Sequence, residues 1–121
     1  MKPKEIYWIA SAKEDLKGFP RSVCEDIGYA LYLAQCGEKH SNTKPLRGVR
    51  GASVLEIVDN FNTDTYRAVY TVRFGGCIYV LHAFQKKSKS GIATPQKEFD
   101  LITRRLKIAE DHYNITFKKE K

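Results

Sequence analysis

Long apolar runs are missing from this 121-residue chain. No stretch approaches the roughly 18 consecutive apolar residues that a membrane-crossing helix requires, so a helical membrane protein is not expected. The amino terminus, Met1-Lys2-Pro3-Lys4-Glu5, carries no apolar export segment, and a cytoplasmic location is the corresponding expectation. Cysteine is scarce: Cys24, Cys36 and Cys77 are odd in number, widely spaced and without a C-x-x-C pair. They read as reduced thiols, mostly in the core, rather than as a disulfide or zinc framework. His40, His82 and His112 are also far apart, and only Cys36 and His40 are near neighbours, so no metal site is expected. There is no P-loop, no dinucleotide-binding glycine pattern and no nucleophile elbow, and hence no motif for a small-molecule cofactor.

Apolar and aromatic residues are plentiful by contrast, at 42% and 12%, which is enough to build a core and excludes a disordered basic tail. The length suits one domain over residues 1–121, with a frayed tail from about residue 115. Acid is in deficit: 21 Lys and Arg stand against 14 Asp and Glu, a net charge of +7. The excess is local. Residues 41–58 hold Lys44, Arg47 and Arg50 against Glu56, and residues 86–97 hold Lys86, Lys87, Lys89 and Lys97 with no acid. Basic residues gathered in two Gly-, Ser- and Pro-containing segments point to a phosphate-binding surface. Solubility charge is the plainer alternative.

Lys4–Ala10 is short, aromatic and β-rich, and reads as a first strand. Ser11-Ala-Lys-Glu14 matches a capping box opening a short helix that stops at Gly18. Pro20 opens a second helix at its first turn. Val23, Ile27, Ala30, Leu31 and Ala34 give that helix one apolar face, and Gly37 stops it. Glu38–Gly51 reads as a long polar loop. Three strands follow: Val54–Val58, Tyr66–Phe74 and Cys77–Phe84. The turns between them are expected at Asn60–Asp64 and at Gly75-Gly76, the latter a two-residue hairpin turn. In Tyr66–Phe74, alternation puts Tyr66, Ala68, Tyr70, Val72 and Phe74 on one face and Arg67, Val69, Thr71 and Arg73 on the other. After a basic loop over Gln85–Ala93, Thr94-Pro95 caps a last helix with a core stripe of Phe99, Ile102, Leu106, Ala109 and Tyr113. The order β-α-α-β-β-β-α makes an α+β domain with its helices packed on a small, mostly antiparallel sheet.

Several segments together carry a likeness. Lys44-Pro-Leu-Arg-Gly48, Leu55-Glu-Ile57, Tyr66-Arg-Ala-Val-Tyr70 and Tyr79-Val-Leu-His-Ala-Phe-Gln-Lys-Lys-Ser-Lys89 with Thr94-Pro95 resemble the RelE superfamily, within it the phage-derived, HigB-like toxin branch. The resemblance spans about residues 5–110. It implies the toxin of a type II toxin–antitoxin system, a ribosome-dependent mRNA endoribonuclease that inhibits translation. The implied partner is a helix-turn-helix antitoxin. Arg67 matches the superfamily's strand arginine, which contacts the scissile phosphate. Lys87 matches the basic residue after the last strand, and Lys86 and Lys89 the cluster around it. The founding toxin's two strand lysines are replaced here by Glu56 and Val58, and its C-terminal tyrosine has no match, so its acid and base do not carry over.

RNA can be cut without metal when its own 2′-hydroxyl attacks the adjacent phosphorus; the reaction needs a base, an acid and stabilisation of phosphoryl charge. Arg67 suits the third role through its planar fork, and crowded lysines can supply a proton. Arg67 and Lys87 are the leading catalytic candidates. Glu56 is a candidate base, equally readable as an ion-pair partner of Arg67 or Arg73. His82 is a candidate acid or base, although inside Cys77–Phe84 a core position is the simpler reading. Lys86, Lys89, Arg47, Arg50 and Arg73 are candidate RNA contacts. Two other functions fit the same sequence: a basic RNA- or ribosome-binding module that does not cut, and a protein-interaction inhibitor on the same fold.

Overall fold

Five strands form one sheet: β1 (Glu5–Trp8), β2 (Thr43–Pro45), β3 (Val54–Phe61), β4 (Asp64–Thr71) and β5 (Cys77–Lys86), side by side in the order β1-β5-β4-β3-β2. The structure is a computed structural model, and residues 2–49, 53–86 and 95–117 are described. Arg50, Lys87, Lys89 and Thr94 lie outside the described residues, as does most of the expected basic loop. Neighbouring strands pair antiparallel except β1, which runs parallel to β5. Three helices complete the α+β fold: α1 (Ala12–Lys17), α2 (Arg21–Gln35) and α3 (Gln96–Phe117).

The expected apolar stripes become two cores, one on each face of the sheet. Val23, Ile27, Ala30, Leu31 and Ala34 of α2, with Ala12 and Leu16 of α1, pack on Ile57, Tyr66, Ala68, Tyr70, Ile78 and Val80. On the opposite face Ile102, Leu106 and Ala109 of α3 pack on Val54, Val69, Tyr79, Leu81 and Phe84, with Phe99 and Tyr113 partly buried beside them. Strands β4 and β5 are therefore covered on both faces, which is why Cys77–Phe84 is apolar on both sides. Helix α2 ends where Gly37 adopts φ +85°: the Gly37 and Glu38 amides donate back to the Ala34 and Leu33 carbonyls, a Schellman stop.

Several expectations are corrected by long-range pairing. Thr43–Pro45 is a strand, not loop, because Lys44 pairs with Glu56 across the sheet edge. Strands β3 and β4 run to Phe61 and from Asp64, so the turn is Asn62-Thr63, both at positive φ. Strand β4 ends at Thr71, which pairs with Tyr79, and residues 72–76 form the connection in place of a two-residue hairpin turn. Phe74 consequently leaves the face of Tyr66 and Tyr70 and joins the α3 core. The capping box is not made: Ser11 donates to the Asp15 carboxylate at 2.8 Å and accepts from Arg105 Nη2 at 3.2 Å. Pro20 is the N-cap of α2, one position before the first turn. Helix α3 continues to Phe117, through the start of the expected frayed tail.

Candidate functional site: a polar cluster under the third helix

Strand alternation and register fix which side chains meet on the α3 face. Glu56, Val69 and His82 lie in one row across β3, β4 and β5, and Val58, Arg67 and Phe84 in the next. His82 reaches this face because of a bulge: Val69 pairs with His82 but Tyr70 pairs with Val80, which leaves Leu81 as an extra residue on β5. Without it, His82 would share the face of Ile78 and Val80 and turn toward α2. Bulges re-aim side chains in this way. The guanidinium of Arg105 takes up the irregularity, donating from Nη1 to the Leu81 carbonyl at 3.0 Å.

Arg67 Nη1 donates to Glu56 Oε1 at 3.0 Å, and the two side chains are only 7% and 6% exposed. Lys44 on β2, the cross-strand partner of Glu56, brings its ammonium to 4.0 Å from Oε2. Each oxygen of Glu56 thus faces a cation, and of the two ion-pair partners proposed from sequence it is Arg67 that is used. The expected alternation does not carry Arg73 into the cluster. The chain has left the strand there, and Arg73 is exposed with its guanidinium 5.7 Å from the Phe74 ring centre. Arg47 is exposed in the turn after β2. That turn is held against α3: Gly48 has φ +95°, and a Cβ there would lie 3.2 Å from the Phe99 ring. Lys86 is the last residue of β5, beside Thr65.

His82 is buried, as the simpler reading of its strand implied, yet it is not an inert core residue. Its Nε2 lies 2.6 Å from Glu98 Oε1 in the first turn of α3, and its ring stacks on Phe84 with centres 4.8 Å apart. Burial pushes the imidazole pKa below its ordinary value, and Glu98 pulls it back up only in part. The ring is therefore neutral near pH 7. Its single proton belongs on Nε2, where it is donated to the Glu98 carboxylate. His82 and Glu98 both line an open cleft of about 470 Å³, together with Glu14, Asp15, Phe84 and Gln85.

Three residues of the cluster were not singled out from the sequence. Lys44 was counted in a basic segment and in one motif of the resemblance, with no role of its own, and Glu98 and Arg105 were unremarked. None carries a local signal, since their partners are 12, 16 and 24 residues away in the chain. Among the described residues no group of three or more His, Cys, Asp or Glu is placed to hold a metal ion, and no helix is long and apolar enough to cross a membrane. Chemically the cluster offers a fixed guanidinium, a carboxylate turned to cations, and a second carboxylate held by a neutral imidazole beside a cleft.

A family model described as phage-derived protein Gp49-like matches residues 14–107. Among solved structures, the chain is similar to one from the toxin–antitoxin complex RelBE2 of Mycobacterium tuberculosis. That match has 19% identity and a TM-score of 0.48, covering 73% of this chain and 97% of that one. No curated protein gives a significant match.

Proposed function

Because the chain belongs to the phage-derived Gp49-like family, a RelE/toxin-like family, we propose that it is the toxin of a type II toxin–antitoxin system. In this reading it is HigB-like and cuts ribosome-bound mRNA as a metal-independent endoribonuclease in the cytoplasm. Its partners are the ribosome, mRNA and a helix-turn-helix antitoxin that neutralises it.

The observation that carries the reading is the setting of Arg67. It stands on the middle strand, its guanidinium held in place by Glu56 before any substrate arrives. A fork fixed in advance meets developing negative charge on phosphoryl oxygens without reorganising, which is the largest electrostatic contribution a protein can make to this reaction. Next to Arg67 on the sheet runs β5, which ends at Lys86 and leads into the segment holding Lys87, Lys89 and Lys97.

During the reaction the 2′-oxygen of the RNA bonds to phosphorus as the bond from phosphorus to the 5′-oxygen breaks. Arg67 stabilises the charge on the phosphoryl oxygens, and Lys87 protonates the departing 5′-oxygen. Lys86, Lys89, Arg47 and Arg50 bind the RNA backbone, and such contacts make affinity fall steeply with salt.

The test is induction of the gene with and without its antitoxin, followed by mapping of mRNA 5′ ends. New ends at ribosome-protected positions support cleavage; growth arrest with no new ends supports a ribosome-binding inhibitor that does not cut. Arg67→Ala combined with Lys87→Ala should abolish toxicity while antitoxin binding persists. A fully toxic double variant would sink the assignment.

A further inference from the structure

The reaction proposed above needs a group to take the 2′-proton, and among the described residues Glu56 on β3 and Glu98 on α3 are carboxylates joined to the polar cluster. Glu56 is poorly suited. It is buried, one oxygen accepts from Arg67 and the other faces the Lys44 ammonium at 4.0 Å, and such a positive surrounding makes a carboxylate a weaker base. Glu98 differs in each respect. It stands in the first turn of α3, its side chain is 20% exposed, and it lines the open cleft beside Phe84. One of its oxygens is held at 2.6 Å by His82 Nε2, which leaves the other for a ligand. A neutral imidazole fixes the carboxylate without placing a full positive charge on it.

The neighbourhood is continuous with Arg67. Phe84 is the cross-strand partner of Arg67, its ring stacks on His82, and His82 holds Glu98. Only the bulge at Leu81 allows this, since it puts His82 on the α3 face. Resting on the RNA-cleaving reading, we infer that Glu98 is the general base of this site and that the buried His82 is its positioning residue.

The 2′-hydroxyl proton passes to the free oxygen of Glu98 as the 2′-oxygen bonds to phosphorus; the bond to the 5′-oxygen breaks, and that oxygen takes its proton from Lys87. The resulting Glu98 carboxylic acid returns its proton to solvent. The charged groups that act on His82 are Glu98 and Arg105 from α3 and Asp15 from α1; Glu14 of α1 lines the same cleft, Glu56 of β3 lies in the same row of the sheet, and Arg67 of β4 in the adjacent one. A base must be deprotonated to act, so the role assigned to Glu98 requires the rate to fall toward acid pH.

The experiment is single-turnover cleavage of ribosome-bound mRNA by the full chain, measured across pH with mapped 5′ ends. Glu98→Gln should lower the rate by about 10²–10³-fold, as loss of a general base does, and abolish the fall in rate toward acid pH, with ribosome binding retained. His82→Gln, whose amide can still donate to Glu98, should stay within about tenfold of wild type, whereas His82→Leu should lose about a hundredfold. If Glu98→Gln does not fold, as judged by its melting curve, Glu98→Asp serves instead: a reduced rate with the acid limb kept supports the inference, and an unchanged rate overturns it.

A folded Glu98→Gln that cleaves at the wild-type rate overturns the inference. If Arg67→Ala is inactive in the same assay, the cleavage reading survives that failure. If wild-type protein produces no new 5′ ends, the reading and the inference fall together.

Discussion

Arg67 on β4 and Glu56 on β3 are joined at 3.0 Å from adjacent rows on one face of the sheet, two residues out of register with each other. Both are almost completely buried, and a buried pair of this kind contributes little net stability, while losing one partner is costly. Glu56→Ala should therefore lower the unfolding free energy by about 3 kcal/mol. Glu56→Leu combined with Arg67→Met should unfold near the wild-type denaturant midpoint yet be non-toxic. If the apolar pair were instead markedly unstable, the ion pair would be a structural element rather than a functional one.

Asp59 on β3 gives a pH dependence of definite sign. Burial and the neighbouring Asp26 carboxyl push its pKa up to about 6, with His40 opposing. The folded state then holds a proton that the unfolded chain, with its ordinary carboxyl, gives up near pH 4. The stabilisation is complete below about pH 4 and is lost as pH rises through about 6. Chemical denaturation at stepped pH should show wild-type stability falling over that window. Asp59→Asn should flatten the fall and gain about 1–2 kcal/mol at pH 7.5.

The Asn62-Thr63 turn holds a β-branched residue at φ +69°. Two-residue hairpins of this kind favour glycine at the second position, because a Cβ is strained there. Thr63→Gly should raise stability by about 1 kcal/mol, after the entropic cost of glycine is deducted. A lowered melting temperature would count against strain at this turn.

Arg105 ties α3 to the Leu81 carbonyl at the bulge and to the Ser11 hydroxyl before α1. Arg105→Ala leaves the Leu81 carbonyl without that donor, which should cost about 1–3 kcal/mol. Amide exchange should quicken around residues 80–83 before the rest of the sheet. Uniform exchange would show that the bulge holds without this tie.

Much of the architecture was legible along the chain. The apolar positions of α2 and α3 recur at helical spacing, and every one assigned to a core stripe lies in or against a core. Gly18 and Gly37 ended their helices as expected because a helix stop is a local backbone event. The placing of the helices on the two faces of one sheet followed from the same patterns once strand order was known. Arg67 was singled out by alternation and resemblance, and Glu56 with it.

The remainder depended on which strand lies beside which. Thr43–Pro45 is a strand only because β3 offers it an edge. Local patterning cannot report that edge. The Leu81 bulge is likewise a mismatch between β4 and β5, which neither sequence contains alone. It turns His82 from a core histidine into the holder of Glu98. The sequence by itself determined periodicity, helix stops and the excess of basic charge, all of which are set by residues within a few positions of one another. Tertiary structure decided the register, and so which buried charges meet, because side chains distant along the chain become neighbours only through strand pairing and helix packing.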